Sequence, residues 1–310
     1  MNEAPRVAVF GPHPMLSIVI ESRASDGGDE FHLHAAGQGV WVARMAAELG
    51  AAPTLCGFVG GETGAVLRPL LERMDCRLRL TETGADSGAY LHDRRSGERV
   101  PIAQAASPPP SRHEVDELFS STVAVALDSQ VLALCGPFPG EALPLELFGS
   151  LVADVRANGT PVVVDLSPPR LESALEGAPD LVKINDWELA KFVCGSVDGT
   201  ERMRAAAQRL LDAGAGAVII TRAEEPAMVL RGEEAWELVP PRFERGSREG
   251  CGDSMMGGLA YCIAAGLGWE QTMRLSAAAG AANFLRRGLG SGTRATVDEL
   301  ARRVELRPLQ

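Results

Sequence analysis

Short apolar runs with no solvated face alternate with helix-like stretches along most of this chain. Examples of the apolar runs are residues 6–11, 130–136, 161–167 and 216–222. Strands that are apolar on both faces are typical of a parallel sheet whose two sides are covered by helices. The alternation therefore predicts an α/β fold, built as a three-layer sandwich around a mainly parallel central sheet.

Two polar segments interrupt this alternation. Residues 16–36 and 83–102 alternate polar and apolar side chains and contain turn signals, a pattern typical of antiparallel ribbons. We interpret them as a small β-lid beside the main sheet. Because the chain has 310 residues, 45% of them hydrophobic, and no linker rich in Pro, Ser or Gly, we predict a single domain over residues 1–310 that carries this lid.

Charge and cysteine usage indicate the class of partner. The formal net charge is −11 and the basic residues are scattered among acidic ones, which argues against nucleic acid and membranes as partners and favours a small-molecule substrate. Six cysteines without CxxC spacing suit reduced thiols, and the N-terminal residues lack the features of a signal peptide. We therefore expect a cytoplasmic protein without a membrane span.

One carboxylate stands in an unusual place. Asp253 follows Gly250, Cys251 and Gly252 and precedes an apolar segment that is predicted to form a buried helix over residues 254–265. The first N–H groups of a helix, approached through glycines, form a site for an anion. A carboxylate beside such a site suits phosphoryl transfer, in which Asp253 takes the proton of the attacking hydroxyl. The alternative is that Asp253 caps the helix and the glycines form a turn.

The run at residues 250–254 resembles the Gly-Ala-Gly-Asp signature of the ribokinase-like carbohydrate kinases, and the chain is similar to their phosphofructokinase-B branch, close to the 1-phosphofructokinases. Further similar segments occur in the family's order, at residues 35–50, 57–72, 162–169, 181–193 and 218–230. The resemblance implies a ribokinase-like fold and an ATP-dependent kinase that phosphorylates a hydroxyl of a sugar, sugar phosphate or sugar-like small molecule. It also implies that Asp253 is the catalytic base and that Gly250, Cys251 and Gly252 form the anion hole.

The resemblance further implies ATP and Mg²⁺ as cofactors. Asn185 and Glu188 would organise Mg²⁺, although the same N-x-x-E spacing suits a capping box in which Asn185 is the N-cap. The implied ATP-binding residues are Asn185, Thr221, Ala223, Gly252 and Ala281. The threonine could simply finish a strand, Ala281 could pack in the core, and the family's Gly-x-x-Gly turn is replaced here by a turn with Ala223 and Pro226.

The substrate side departs from the family. The family's Gly-Gly-x-Gly-x-Asn signature falls on residues 36–41, and its sugar-binding Asp falls on a serine. The implied substrate-binding residues are Ser17, Gly37, Gln38, Gly39, Trp41 and Asp253. Trp41 is either a platform for the substrate or a core residue. Charged groups are replaced by apolar ones on this side, which disfavours a phosphorylated sugar as the substrate. The alternative is that a lid arginine supplies a relocated phosphate site; the candidates are Arg23, Arg94, Arg95 and Arg99.

Two more expectations follow from the resemblance. It implies a homodimer that forms through the lid. Because both the substrate side and the nucleotide turn differ from the family, the alternative function is that of a catalytically weak or inactive member that binds a metabolite.

Overall fold

The computed structural model describes residues 3–136, 143–223, 225–286 and 290–309. Within these residues the chain forms two sheets flanked by helices. The strands are β1 (Arg6–Phe10), β2 (Met15–Ser22), β3 (Asp29–Ala36), β4 (Ala52–Gly60), β5 (Arg77–Thr83), β6 (Ala89–Asp93), β7 (Val100–Ala105), β8 (Val131–Cys135), β9 (Val162–Asp165), β10 (Leu181–Asn185), β11 (Val218–Arg222), β12 (Glu225–Arg231), β13 (Glu234–Val239) and β14 (Glu305–Pro308).

The helices follow the strands in the alternation that the sequence predicts. The helices are α1 (Gln38–Glu48), α2 (Gly61–Glu72), α3 (Arg112–Leu127), α4 (Glu146–Ala157), α5 (Arg170–Glu176), α6 (Asp186–Phe192), α7 (Thr200–Asp212), α8 (Cys251–Ala264), α9 (Trp269–Phe284) and α10 (Arg294–Ala301). None of the helices within the described ranges is long and apolar enough to cross a membrane. The cytoplasmic location stays a prediction.

The larger sheet confirms the predicted α/β fold. Its ten strands run in the order β14-β13-β12-β11-β10-β9-β8-β1-β4-β5. Pairing is parallel from β11 through to β5 and antiparallel from β11 to β14. Alternate residues of a central strand enter two separate cores: Val7 and Val9 pack on one side of the sheet, and Ala8 and Phe10 pack on the other. A strand that is buried on both faces needs apolar residues at every position, which explains the continuous runs.

The smaller sheet, which we call the lid sheet, has the strand order β3-β2-β6-β7. Strands β2 and β3 pair antiparallel, as do β6 and β7, which confirms the two predicted antiparallel ribbons. Strands β2 and β6 pair parallel, so the two ribbons join into one mixed sheet. The parallel pairing arises because the chain makes a long crossover through the main sheet between the two hairpins. The first strand of the lid sheet starts at Met15 and the last one ends at Ala105. Thr83, the predicted start of the second lid segment, belongs instead to β5 of the main sheet.

The parallel strands end at one edge of the main sheet, and that edge carries polar side chains. Asp165 is the last residue of β9 and Asn185 is the last residue of β10, where it pairs with Thr221 of β11. Because parallel strands all point the same way, their carboxyl ends meet at the same edge. These side chains therefore lie close to one another although they are far apart in the sequence.

Candidate active site

Helix α8 begins three residues earlier than predicted. Gly250 is its N-cap, with the left-handed angles φ 74° and ψ 0°, and makes no side-chain cap. Asp253 therefore lies in the first turn of the helix, so the alternative in which Asp253 caps the helix is wrong. The reason is that a left-handed glycine lets the chain enter the helix at Cys251 without strain. We call Gly250, Cys251, Gly252 and Asp253 the 250–253 turn.

A buried ion pair lies beside this turn. The Lys183 ammonium donates to the Asp165 carboxylate over 2.7 Å, and both side chains are almost fully buried. A Cβ atom added to Gly252 would lie 3.1 Å from Nζ of Lys183, so the ammonium is in contact with the turn. A glycine at this position therefore leaves room for the lysine at the beginning of α8.

Asp253 is a strongly perturbed carboxyl group. Its pKa is raised to about 7: burial is the largest cause, the nearby Asp165 carboxylate adds to the rise, and Lys183 and a hydrogen bond with Gln38 oppose it. Burial also raises the pKa of Glu188, with Asp165 as the next cause. Burial lowers the pKa of Lys183, but the neighbouring Asp165 outweighs it and holds the lysine charged. A carboxyl whose pKa lies near neutrality is suited to taking a proton during catalysis.

The motif-based predictions missed Asp165 and Lys183. Both belong to apolar strand runs that were read as core, and the signal was present in the sequence as a charged residue inside such a run. Lysine and aspartate are almost never fully buried unless they are paired. A lysine within residues 181–185 therefore required a buried partner, but only the strand order shows that the partner is on β9.

The predicted ATP-binding residues line a single cavity of about 560 Å³. Lys183 lines it as well. The predicted residues in its wall are Asn185, Thr221, Ala223, Gly252 and Ala281. A cavity of this size is within the range of small-molecule sites. The structure thus brings together five residues from four separate segments, and the cavity ends at the 250–253 turn.

The turn between β11 and β12, which contains Ala223, has an unusual backbone although it contains no glycine. Ala223 has φ 35°, a left-handed value that residues other than glycine rarely adopt. The Arg222 side chain donates to the carbonyl of Pro226 over 2.6 Å and so ties the two ends of the turn together. This turn thus differs from a Gly-x-x-Gly turn, as expected, and its left-handed position is occupied by a strained alanine.

Two aromatic rings that sequence reasoning missed complete the cavity wall. Phe243 and Phe284 stack with their ring centroids 6.4 Å apart and their planes inclined by 23°. Phe243 lies in an irregular segment before α8 and Phe284 ends α9, so no motif connects them. Flat apolar walls of this kind favour a flat ring such as a nucleobase.

Asn185 and Glu188 form the capping box that their spacing allowed. The Asn185 side chain accepts from the backbone N–H of Glu188 over 2.8 Å, and the Glu188 carboxylate accepts from the backbone N–H of Asn185 at 3.4 Å. Within the described ranges, no three His, Cys, Asp or Glu side chains are arranged to hold a metal on their own. Mg²⁺ is usually held by one or two carboxylates together with phosphate oxygens and water, so this pair fits that ion.

The charge balance of the site also fits a cation. Three carboxylates, Asp165, Glu188 and Asp253, influence one another electrostatically, and Lys183 is the ammonium that faces them. Burial is the main cause of the raised pKa values of Glu188 and Asp253, and the neighbouring Asp165 carboxylate adds to both. A divalent cation beside Glu188 would offset this excess of negative charge.

The predicted substrate-binding residues divide into two groups. Gly37, with φ 112°, is the N-cap of α1 and orients Gln38, whose side chain hydrogen-bonds with Asp253 and donates to the carbonyl of Asp165 at 3.4 Å. A Cβ on Gly39 would lie 2.5 Å from Cα of Gly11, so this glycine is required by close packing of α1 on the end of β1. The first group thus places Gln38 beside Asp253.

The second group lies at the seam between the lid sheet and α1. Ser17 is buried and hydrogen-bonds with Tyr90. Trp41 packs against the main core and against the lid cluster of Met15, Ala36 and Tyr90. The core-packing alternative for Trp41 is therefore what the structure shows, and a direct role in substrate binding stays a prediction.

The pH dependence of the reaction is predicted to follow Asp253. A general base works only when it is deprotonated, so we expect kcat/KM for the acceptor to rise about tenfold per pH unit below about pH 7 and to level off above it. The measurement is a steady-state profile between about pH 5.5 and 9 at saturating ATP. A profile that stays flat through pH 7 would contradict the assignment of this carboxyl as the base.

Together, these features of the site define a class of enzyme. A nucleotide-sized cavity ends at a helix N-terminus, a buried ammonium faces that terminus, and a carboxyl with a pKa of about 7 stands in its first turn. The helix terminus and the ammonium can hold a transferring phosphoryl group, and the carboxyl can activate a hydroxyl. This is the arrangement of a phosphotransferase.

Comparisons with known proteins agree. Residues 11–296 match the pfkB family of carbohydrate kinases. A 1-phosphofructokinase from Rhodobacter capsulatus is 31% identical over 252 residues, covering 79% of this chain and 78% of that protein. ATP-dependent 6-phosphofructokinase isozyme 2 from Escherichia coli is 28% identical over 256 residues, covering 81% and 82%. Phosphofructokinase-2 from Escherichia coli in complex with potassium has a TM-score of 0.83 at 24% identity, covering 97% and 98%.

This chain belongs to the pfkB family of carbohydrate kinases. It is therefore a kinase that transfers a phosphoryl group from ATP to a hydroxyl of a sugar, sugar phosphate or sugar-like small molecule, which confirms the predicted family, fold class and activity.

Proposed function

We propose that this kinase phosphorylates a monosaccharide or a monosaccharide phosphate and uses Asp253 as the catalytic base. The observation that carries the proposal is the Asp253 carboxyl, whose pKa burial raises to about 7, in the first turn of α8 and beside a buried ammonium. The other residues proposed to act in phosphoryl transfer are Gly250, Cys251, Gly252 and Lys183.

Each group has a definite task in this proposal. Asp253 accepts the proton of the acceptor hydroxyl as the oxygen attacks phosphorus. The N–H groups of Gly252 and Asp253, together with the Lys183 ammonium, stabilise the charge that spreads over the phosphoryl oxygens. The N–H of Cys251 donates to the carbonyl of Arg248 over 3.2 Å, so Cys251 contributes to the shape of the turn. Gln38 holds the Asp253 carboxylate toward the acceptor through their hydrogen bond.

We propose that Asn185 and Glu188 hold Mg²⁺ on the side of the cavity that faces the phosphates. Support comes from the excess negative charge around Glu188 and from the position of Asn185 in the cavity wall. The ion would neutralise charge on the phosphates of ATP. Thr221, Ala223 and Ala281 would contact the rest of the nucleotide, since they line the same cavity.

The acceptor is proposed to bind between Gln38 and the inner face of the lid sheet. Gly37 and Gly39 would act by letting the start of α1 pack closely on neighbouring backbone, which places Gln38 toward the acceptor, while Ser17 and Trp41 would shape the lid side. Named relatives of this chain include kinases of fructose phosphates, whereas the substrate-side replacements disfavour a phosphate group. Both acceptor classes therefore belong in one test.

The test is a panel of monosaccharides, their phosphates, nucleosides and other small alcohols, each with Mg-ATP, in which ADP formation and phosphorylated product are measured together. The proposal expects turnover with one of these two classes and loss of turnover when Mg²⁺ is chelated. Turnover only with nucleosides or other acceptors would overturn the acceptor class. ATP binding without turnover across the whole panel would instead favour the metabolite-binding alternative.

We also propose that the protein is a homodimer formed through the lid sheet. The outer face of that sheet is apolar, because Ile18 pairs with both Leu33 and Leu91, and Ile20 pairs with Phe31. Phe31 and Leu33 are 60% and 42% exposed. A contiguous exposed apolar face of this kind is typical of an interface between proteins.

Replacing Leu33 with Glu is expected to convert the dimer into a monomer, because it places a charge on the exposed part of the apolar face. Sedimentation velocity of both proteins at the same concentration measures the effect. The matched control is Leu127→Glu, since Leu127 is 46% exposed on α3, outside the lid sheet. A monomeric unsubstituted protein, or a dimer that survives the Leu33 change, would contradict the proposal.

A further inference from the structure

An ion pair joins the lid sheet to the 250–253 turn. Arg99 lies directly before β7, and its Nη1 contacts Oε2 of Glu249, the residue directly before Gly250. The Arg99 side chain is only 18% exposed, so the pair is shielded more than an ordinary surface pair. The charge of Glu249 is thus compensated by an arginine that directly precedes a strand of the lid sheet.

The lid sheet holds Arg99 in place. Its guanidinium carbon lies 5.3 Å above the ring centroid of Tyr90, and Nη2 lies 3.3 Å from Nδ1 of His92. Tyr90 is buried and hydrogen-bonds with both Ser17 and Arg99. The position of the guanidinium is therefore set by the inner face of the lid sheet.

Glu249 is held on its other side by the main body of the protein. Its backbone carbonyl accepts from Nδ2 of Asn283 over 2.6 Å, and Asn283 is 1% exposed. The same amide nitrogen lies 3.6 Å from Sγ of Cys251. The backbone of Glu249 is thus fixed, and the direction of its carboxylate depends on Arg99.

A carboxylate at this position can interfere with the binding of an anion at the start of α8. The first N–H groups of α8 have no partners within the helix and attract negative charge. That of Cys251 donates to the carbonyl of Arg248 over 3.2 Å, so the donors in question are those of Gly252 and Asp253. An unpaired Glu249 carboxylate, one residue before the N-cap, can turn toward these donors and compete with a phosphate group for them. Its pairing with Arg99 keeps it away.

We propose that Arg99 is a positioning residue, which holds the Glu249 carboxylate away from the N–H donors of the 250–253 turn when the lid sheet is in contact with that turn. The proposal rests on the proposed role of this turn as the anion site for phosphoryl transfer. Contact between the lid sheet and the 250–253 turn thereby keeps the anion site free to bind the phosphates of ATP.

Three variants test this proposal: Arg99→Gln, Glu249→Gln and the double variant. Arg99→Gln is expected to raise KM for ATP about tenfold or more, because the freed carboxylate competes with the phosphates. Glu249→Gln alone is expected to change KM by less than about twofold, since it removes the competitor. The double variant is expected to return to within about threefold of the unsubstituted protein.

The rescue distinguishes this role from others. If the double variant is as impaired as Arg99→Gln, then Arg99 acts on a substrate or on folding, and the proposal is wrong. The matched control is Arg95→Gln: Arg95 belongs to the same lid hairpin but pairs with Asp29 and Asp93 inside the lid sheet, so KM for ATP should not change.

Two further measurements keep the test decisive. If Arg99→Gln does not fold, as shown by thermal unfolding, Arg99→Lys is used, and it is expected to keep KM within about threefold because the charge is retained. Loss of turnover in Asp253→Asn checks the proposed function separately, so a failed rescue with an intact Asp253 effect overturns only the role of Arg99.

Discussion

Replacing Asp253 with Asn is expected to lower kcat by about a hundred- to ten-thousand-fold while ATP still binds. The amide keeps the shape of the side chain but cannot accept the proton of the acceptor hydroxyl. The measurements are single-turnover product formation and the thermal shift that Mg-ATP produces. The matched control is Glu201→Gln, which removes an exposed carboxylate from the first turn of α7 and should leave kcat unchanged.

The same substitution is expected to change the pH dependence of stability. Because the pKa of Asp253 is raised on folding, the folded protein binds this proton more tightly than the unfolded protein does. Its contribution to stability is fully present below the ordinary aspartate pKa and is lost as the pH rises through about 7. Asp253→Asn should therefore raise Tm at pH 8 relative to the unsubstituted protein. Retained turnover, or a lower Tm at pH 8, would contradict these expectations.

Replacing Lys183 with Met is expected to lower the free energy of unfolding by about 3 to 5 kcal/mol, because it leaves the Asp165 carboxylate buried without its partner. KM for ATP should also rise, since the ammonium lies against Gly252. Urea denaturation measures the first effect and steady-state kinetics the second.

The double variant Asp165→Asn with Lys183→Met separates the two effects of the lysine. Removing both charges should restore most of the stability, because no unpaired charge stays buried. It should not restore KM for ATP, since the ammonium is still missing. Stability that stays low in the double variant would show that Lys183 contributes through packing and not through its pairing with Asp165.

Local features of the site could be predicted because they depend on neighbouring residues. The spacing of Asn185 and Glu188 predicts a capping box, and this cap is present. The start of α8 was misjudged, because the left-handed backbone at Gly250 depends on how the turn packs and not on the pattern of apolar residues.

Long-range features could not be predicted from the same patterns. The stacking of Phe243 on Phe284 and the pairing of Arg99 with Glu249 join residues that are distant in the sequence. The order of the strands and the positions of the helices determine which residues form each of these pairs. The sequence shows a charge or a ring that needs a partner, and the fold decides which one it finds.

The α/β class, the mainly parallel sheet and the carboxylate beside a glycine turn can be derived from the order of the residues, because periodic burial is set by contacts between near neighbours. The pKa of about 7 for Asp253 and the position of Lys183 opposite it arise only in the folded chain. That pKa depends on burial and on charges from β9, β10 and α6, which the order of strands in the sheet brings to one edge.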